Sequence, residues 1–219
     1  MVMSFFRRSE GGFESITAHT VSMLADARHS FDLASTAVLS GAAFDSVAED
    51  VRSTDDRINQ VEQDLRRELV VHVSVQGADD IGAVLAYTLL IKKIERIGDQ
   101  AKNILDLAEE NVDLSDEPDT AELIEYRRQI SDMMGQTADL VAEVDPEAAA
   151  EFRDRANALR HHLEGQIRDC MHSDRPGREV VPRAILYRYW KRIVANLAGI
   201  VGSVTEPLAH EVGEDDLDD

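Results

Sequence analysis

Asp56-Arg-Ile-Asn-Gln-Val-Glu-Gln-Asp-Leu65 and Asp154-Arg-Ala-Asn-Ala-Leu-Arg-His-His-Leu163 are the two stretches whose comparison decides the fold. Asp, Arg, Asn and the closing Leu recur at an offset of 98 residues. Further along, Arg96-Ile97 recurs as Arg192-Ile193 at an offset of 96. Two matches in the same order at nearly one offset mark an internal duplication. The two-residue difference is expected in the loop between the matched segments.

Working outward, both halves carry helical periodicity. Apolar residues recur at spacings of three and four over 13–40 (Ile16, Val21, Met23, Leu24, Ala27, Phe31, Ala34, Val38) and over 44–75 (Val47, Val51, Ile58, Val61, Leu65, Leu69). Gly41 is a plausible C-terminal cap for the first. Leu69-Val-Val-His-Val-Ser-Val75 is β-branched enough to read as a strand, but no partner strand is visible, so it is assigned to the helix end. Gly77-Ala-Asp-Asp80 is a turn, and Asp79 or Asp80 is a good N-cap for a third helix over 80–110. Asn111 to Asp119 is a polar, acidic linker with Pro118. In the second half helices are expected over 119–143, from Asp145-Pro146 to about 172, and over 181–205. The expected architecture is all-α: a 1–12 N-terminal segment, a three-helix unit over 13–112, a second over 119–208, and an acidic, disordered tail over 209–219, the two bundles sharing one core.

The chain has 219 residues and a formal charge of −20, with 43 Asp and Glu against 23 Lys and Arg. A field of that sign repels phosphate backbones, so no nucleic-acid partner is expected. High Asp (24 residues) with only four Lys against 19 Arg looks like the proteome of a halophilic archaeon; concentrated salt shortens the Debye length and makes such self-repulsion tolerable. No apolar run approaches the ~20 residues that span a bilayer, and no signal peptide is evident at the start. The lone Cys170 excludes an intramolecular disulfide and a cysteine metal cluster within one chain. A cytoplasmic protein is expected.

Chemistry concentrates in Ile94-Glu-Arg-Ile-Gly-Asp-Gln-Ala-Lys-Asn-Ile104. Glu95, Asp99 and Asn103 are spaced i, i+4, i+8, which places them on one helix stripe beside the apolar face of Ile91, Ile94, Ala101 and Leu105. Gly98 sits between the two carboxylates. Glycine inside an exposed helix costs about 1 kcal/mol relative to alanine, so its presence suggests close approach by a neighbour or a ligand. The preceding helix carries a second stripe of Asp55, Asn59 and Glu62. If the two helices pack antiparallel, the stripes face each other and repel unless a cation lies between them; oxygen ligands suit hard cations. The alternative is a solvated face on which Glu95–Arg96 and Asp99–Lys102 form local pairs.

Glu95-Arg-Ile-Gly-Asp99 followed by Asn103-Ile104, with Asp55-Asp-Arg-Ile-Asn-Gln-Val-Glu62 on the preceding helix, resembles the signature of the PhoU family of phosphate-uptake regulators. The specific motifs lie within 50–110, while the tandem three-helix repeat covers nearly the whole chain. The resemblance implies a fold of two three-helix bundles and a cytoplasmic regulator of phosphate transport. Its partner would be a phosphate ABC transporter ATPase or a phosphate permease, with a sensor kinase in bacteria. Membrane association would run through that partner. A homodimer is expected on general grounds. The resemblance also implies a metal bound at Glu95, Asp99, Asp55 and Asn59 with Asn103 in support, the ion being Fe, Mg, Mn, Ca or Zn. Asn59 departs from a carboxylate.

The second half has lost these acids. By the offsets above, Asp55 corresponds to Arg153, Glu62 to Arg160, Glu95 to Lys191, Asp99 to Ala195 and Asn103 to Gly199. Metal is therefore expected in the first half alone, the second being a structural copy or a partner surface. Tyr187, Tyr189 and Trp190 lie among Arg188, Lys191 and Arg192 in the most basic window of the chain; Tyr189, Trp190, Lys191 and Arg192 are candidates for a partner surface, and core packing with a cationic rim is the other reading. His161 and His162 point about 100° apart on a helix and suit a surface role better than chelation. No general base or pocket-forming loop is evident, so a regulator is expected in preference to a metal-dependent enzyme acting on phosphate esters, or to a bare scaffold.

Overall fold

The computed structural model describes residues 13–77 and 80–205. The N-terminal segment, Asp79 and the acidic tail lie outside the described residues. Six α-helices follow one another: α1 (Glu14–Leu39), α2 (Ala48–Gln76), α3 (Ile81–Glu109), α4 (Thr120–Ala142), α5 (Pro146–Met171) and α6 (Gly177–Thr205), with a 3-10 turn at Phe44–Ser46. No strand occurs among the described residues. The β-branched run at the end of α2 is helical, and its Val70, Val71 and Val75 face solvent. The run reads ambiguously because apolar side chains stand on the outer face as well as the inner one.

The elements start and stop where local chemistry directs. Asp145 caps α5, its Oδ1 accepting from the backbone N–H groups of Glu147 and Ala148 at 3.0 and 3.1 Å, and Pro146 takes the first helical position. After α1, Gly41 adopts φ +65° just beyond the Ser40 cap. The Leu114 N–H then donates to the Val38 carbonyl at 2.9 Å, tying the linker back to the end of α1. Asp80 stands at the start of α3 but does not cap it with its side chain; its carboxylate meets His72 Nε2 at 2.8 Å. Helix α6 begins at Gly177, about one turn before the expected 181, so Pro182 falls inside it. A proline in the first turns removes only one backbone donor, and the affected end is exposed.

Helices α1, α3, α4 and α6 form a central layer in which α1 and α6 each pack on both α3 and α4. Helix α2 lies outside on α1 and α3; α5 lies outside on α6 and barely touches α4. One continuous apolar core runs through both halves, from Phe31 and Ile58 to Phe152 and Trp190. Arg183 of α6 is only 3% exposed and clamps the linker between the halves, donating through Nε and Nη2 to Asp119 and through Nη2 to Glu117, at 2.8–2.9 Å. That guanidinium holds the Asp119 carboxyl below its usual range.

The duplication is visible in the helix ends. Helix α5 starts 98 residues after α2, and α6 starts and ends 96 residues after α3. The missing two residues are not in the loop, as the sequence suggested: α5 is three residues shorter than α2, and the loop after it is one residue longer. The sizes of the residues at one matched pair of positions are inverted between the halves. In the first half, a Cβ at Gly98 would stand 3.1 Å from Ile58 Cδ1. At the corresponding positions of the second half stand Ala156 and Val194, both fully buried. The large residue has moved from the outer helix to the central one.

Gly98→Val is therefore expected to destabilise the fold by about 1–3 kcal/mol through overpacking. Ile58→Ala alone should cost about 2–5 kcal/mol. Combined, they recreate the second-half pair, and chemical denaturation should show a double variant more stable than the sum of the two losses; additive losses would contradict the close packing.

Candidate functional site

Because Gly98 has no side chain, α2 comes close enough for its polar stripe to meet that of α3. Asp55 and Glu62 on α2 are 7% and 8% exposed. Glu95 and Asp99 on α3 lie opposite them, and a Cβ at Gly98 would reach within 3.8 Å of Asp55 Oδ1. Three of the expected ligands, Asp55, Glu95 and Asp99, thus share one seam, joined by Glu62. Asn59 and Asn103 are half-buried on the same two helices.

Two lysines stand between the facing carboxylates. Lys102 Nζ donates to Asp55 Oδ2 at 2.7 Å and lies 3.7 Å from Asp99 Oδ1. One end along, Lys92 Nζ is 2.7 Å from Glu95 Oε2 and 3.9 Å from Glu62 Oε1. Arg66 adds a contact to Glu62 at 2.8 Å. Despite these ion pairs, Glu62 Oε1 and Glu95 Oε2 are buried without a well-directed hydrogen bond. Asp99–Lys102 is one of the local pairs the sequence suggested; Glu95 pairs with Lys92 three residues earlier instead of Arg96. A neighbour at i+1 points about 100° away, whereas i−3 shares the face. That spacing is the signal by which Lys92 could have been found.

Electrostatics follow the geometry. The Lys102 ammonium is held above its ordinary value, chiefly by its hydrogen bond to Asp55. Asp99 is pushed up, first by desolvation and then by the nearby Glu95 charge. Among the described residues, no group of three or more His, Cys, Asp or Glu side chains is arranged to hold a metal ion. The metal implied by the resemblance does not fit this arrangement: ammonium groups already stand between the acids.

The basic window of α6 separates into parts. Trp190 is fully buried, its ring 6.0 Å from Tyr187 and 6.2 Å from Tyr126. It leaves the proposed surface patch because α6 is covered by α3, α4 and α5. Tyr189 is half-buried against the core, Lys191 reaches Glu164 at 3.4 Å, and Arg192 is exposed. His162 is exposed, but its Nε2 lies 2.5 Å from Tyr126 Oη, which in turn donates to Glu122. Because α4 and α5 pack loosely, a groove of about 610 Å³ opens between them, lined by Tyr126, Arg128, Gln136, Arg155 and His162 among others. Arg155 donates to Gln136 at 2.7 Å, while Arg128 is neutralised by Glu125 and Asp132.

A third feature was not singled out by the sequence. Val70, Val71 and Val75 at the end of α2 and Ile81, Leu85 and Leu89 at the start of α3 are all exposed. They flank the turn joining the two helices; Met171, Val181 and Ile185 are likewise exposed about the corresponding turn between α5 and α6. Exposed apolar side chains gathered at one end of a molecule mark interaction surfaces.

Residues 20–108 match the family model of the PhoU domain. The matched span takes in most of α1, all of α2 and all of α3 but its last residue, with every acid and lysine of the seam, and stops before the half that lacks them. Among solved structures, the chain is similar to the crystal structure of PhoU from Pseudomonas aeruginosa, with a TM-score of 0.77 and 21% identity over 89% of this chain and 96% of that one. At that identity the likeness establishes the fold: two three-helix bundles, as the duplication predicted. Comparison with curated proteins finds no match. No helix among the described residues is long and apolar enough to cross a membrane.

The two aspartates of the seam should respond differently to neutralisation. Asp55→Asn removes the buried negative charge that pairs with Lys102, weakening a charge-assisted hydrogen bond, and is expected to cost about 1.5–3 kcal/mol. Asp99 carries a raised pKa, so its charged form is the less favoured one in the fold. Asp99→Asn should leave stability unchanged or higher near neutral pH, and any gain should vanish as pH falls through the Asp99 pKa, where the wild-type carboxyl is itself protonated. Denaturation curves at several pH values test this; equal losses from both variants would contradict the seam described here.

Proposed function

We propose that this chain is a regulator of phosphate uptake of the PhoU kind: a cytoplasmic adaptor, acting as a homodimer, that binds the ATPase of a phosphate ABC transporter or a phosphate permease and reaches the membrane only through that partner. The observation that carries this reading is the PhoU-domain match over the first bundle, set in a chain whose six-helix fold is similar to that of a PhoU structure over 89% of its length. Two further features support it. The strongest cluster of acids is tied to lysines in ion pairs, which suits holding a shape better than acid–base chemistry. The exposed apolar end of α2 and α3 gives a transporter subunit a contact that a solitary protein has no use for. An acidic surface elsewhere limits unspecific association.

Mixing the purified chain with a phosphate-transport ATPase subunit, and separately with a phosphate permease, should give a co-eluting complex with one of them in size-exclusion chromatography. Val71→Asp with Leu85→Asp should weaken that complex at least about tenfold while leaving the helical signal unchanged. Co-elution with neither subunit would overturn the assignment.

A further inference from the structure

We propose that Lys92 and Lys102 occupy, in this chain, the places that a bound cation would take, so that the α2–α3 seam is neutralised from within and is a latent metal site kept closed by two ammonium groups. The inference stands apart from the adaptor reading, since it concerns only how the seam's charge is balanced. Four carboxylates, Asp55, Glu62, Glu95 and Asp99, face each other there, and Lys92, Lys102 and Arg66 supply three positive charges against them. Removing the two lysines would leave the acids opposed by Arg66 alone, the situation that recruits a divalent ion.

The choice of residue points the same way. The chain uses 19 arginines and only four lysines, yet three of the four, Lys92, Lys93 and Lys102, lie on α3. Two of them bridge the seam. Guanidinium is a flat fork suited to pairing with one carboxylate edge, whereas ammonium is a compact point charge that sits between two carboxylates much as a small ion does. The second half supplies a control within the molecule. Where Asp99 has become Ala195, the position of Lys102 has become Ala198, and where Glu62 has become Arg160, that of Lys92 has become Arg188. Neither lysine is kept there, although Arg188 keeps a cation at the position of Lys92 and Glu95 itself has become Lys191.

Lys92 and Lys102 each stand 2.7 Å from a carboxylate oxygen, and of the two Lys92 is the less well directed. The oxygens it faces, Glu62 Oε1 and Glu95 Oε2, are buried and lack a well-directed hydrogen bond, whereas Lys102 donates directly to Asp55. An ion admitted to the seam would first replace Lys92, with Glu62 and Glu95 as its ligands, and Asp55 and Asp99 would follow once Lys102 is removed.

The test strips the full chain with chelator, dialyses it against Mn²⁺, and measures bound metal by elemental analysis alongside the thermal midpoint. Wild type should retain no metal above the buffer's trace and show no midpoint shift. Lys92→Met with Lys102→Met should retain about one equivalent and gain a Mn²⁺-dependent rise in midpoint, both lost on adding Glu95→Ala. Lys92→Met alone carries the same test should the double variant fail to fold by circular dichroism. Wild type that retains metal, and loses it in Glu95→Ala with Asp99→Ala, overturns the proposal; so do lysine variants that fold and stay metal-free.

Discussion

The close approach of α2 and α3 at Gly98 is the constraint on which the rest of the first bundle depends. Without a side chain at that position, Ile58 packs against the α3 backbone, and the polar stripes flanking this contact are carried into each other. Hydrophobic packing thereby forces together carboxylates that would otherwise separate. The fold meets that cost with lysines drawn from the same helix as Glu95 and Asp99. In the second bundle the bulky residue sits on the other helix, with Val194 on α6 and Ala156 on α5, and the flanking acids are gone. One architecture thus carries two electrostatic solutions, and its core is continuous across both.

Much of the fold was legible because the chain repeats itself. Offsets of 98 and 96, taken from a handful of matched residues, reappear as the spacing of helix starts, 48 to 146 and 81 to 177. Periodicity located all six helices, and Asp145-Pro146 located a helix start by its capping chemistry alone. What was not legible had physical reasons. A two-residue deletion leaves no mark saying whether a helix or a loop lost it. The valines after Leu69 were hard to place because an outward-facing apolar residue breaks the rule that polar faces meet solvent. Trp190 sits in a basic window by sequence but is buried, since neighbours along a helix point to different sides.

The site was legible in part. Asp55, Glu62, Glu95 and Asp99 do come to one seam, as stripes on antiparallel helices should. Their counter-charges were harder to read: Lys102 spans from one helix to the other, a relation that spacing along the chain does not contain, and Lys92 was overlooked beside the nearer Arg96. The seam of α2 and α3 is balanced by ion pairs, apolar side chains face solvent about the α2–α3 turn and, as Met171, Val181 and Ile185, about the α5–α6 turn, and the α4–α5 pair stays loosely packed around a polar groove.

The most direct measurement of the central claim is a crystal structure from chelator-free, Mn²⁺-soaked crystals, with anomalous data collected at the manganese edge. The account predicts Lys102 Nζ within hydrogen-bonding distance of Asp55, Lys92 Nζ beside Glu95, and no anomalous peak in the seam. A peak lying between the α2 and α3 carboxylates, with either lysine turned out to solvent, would contradict it.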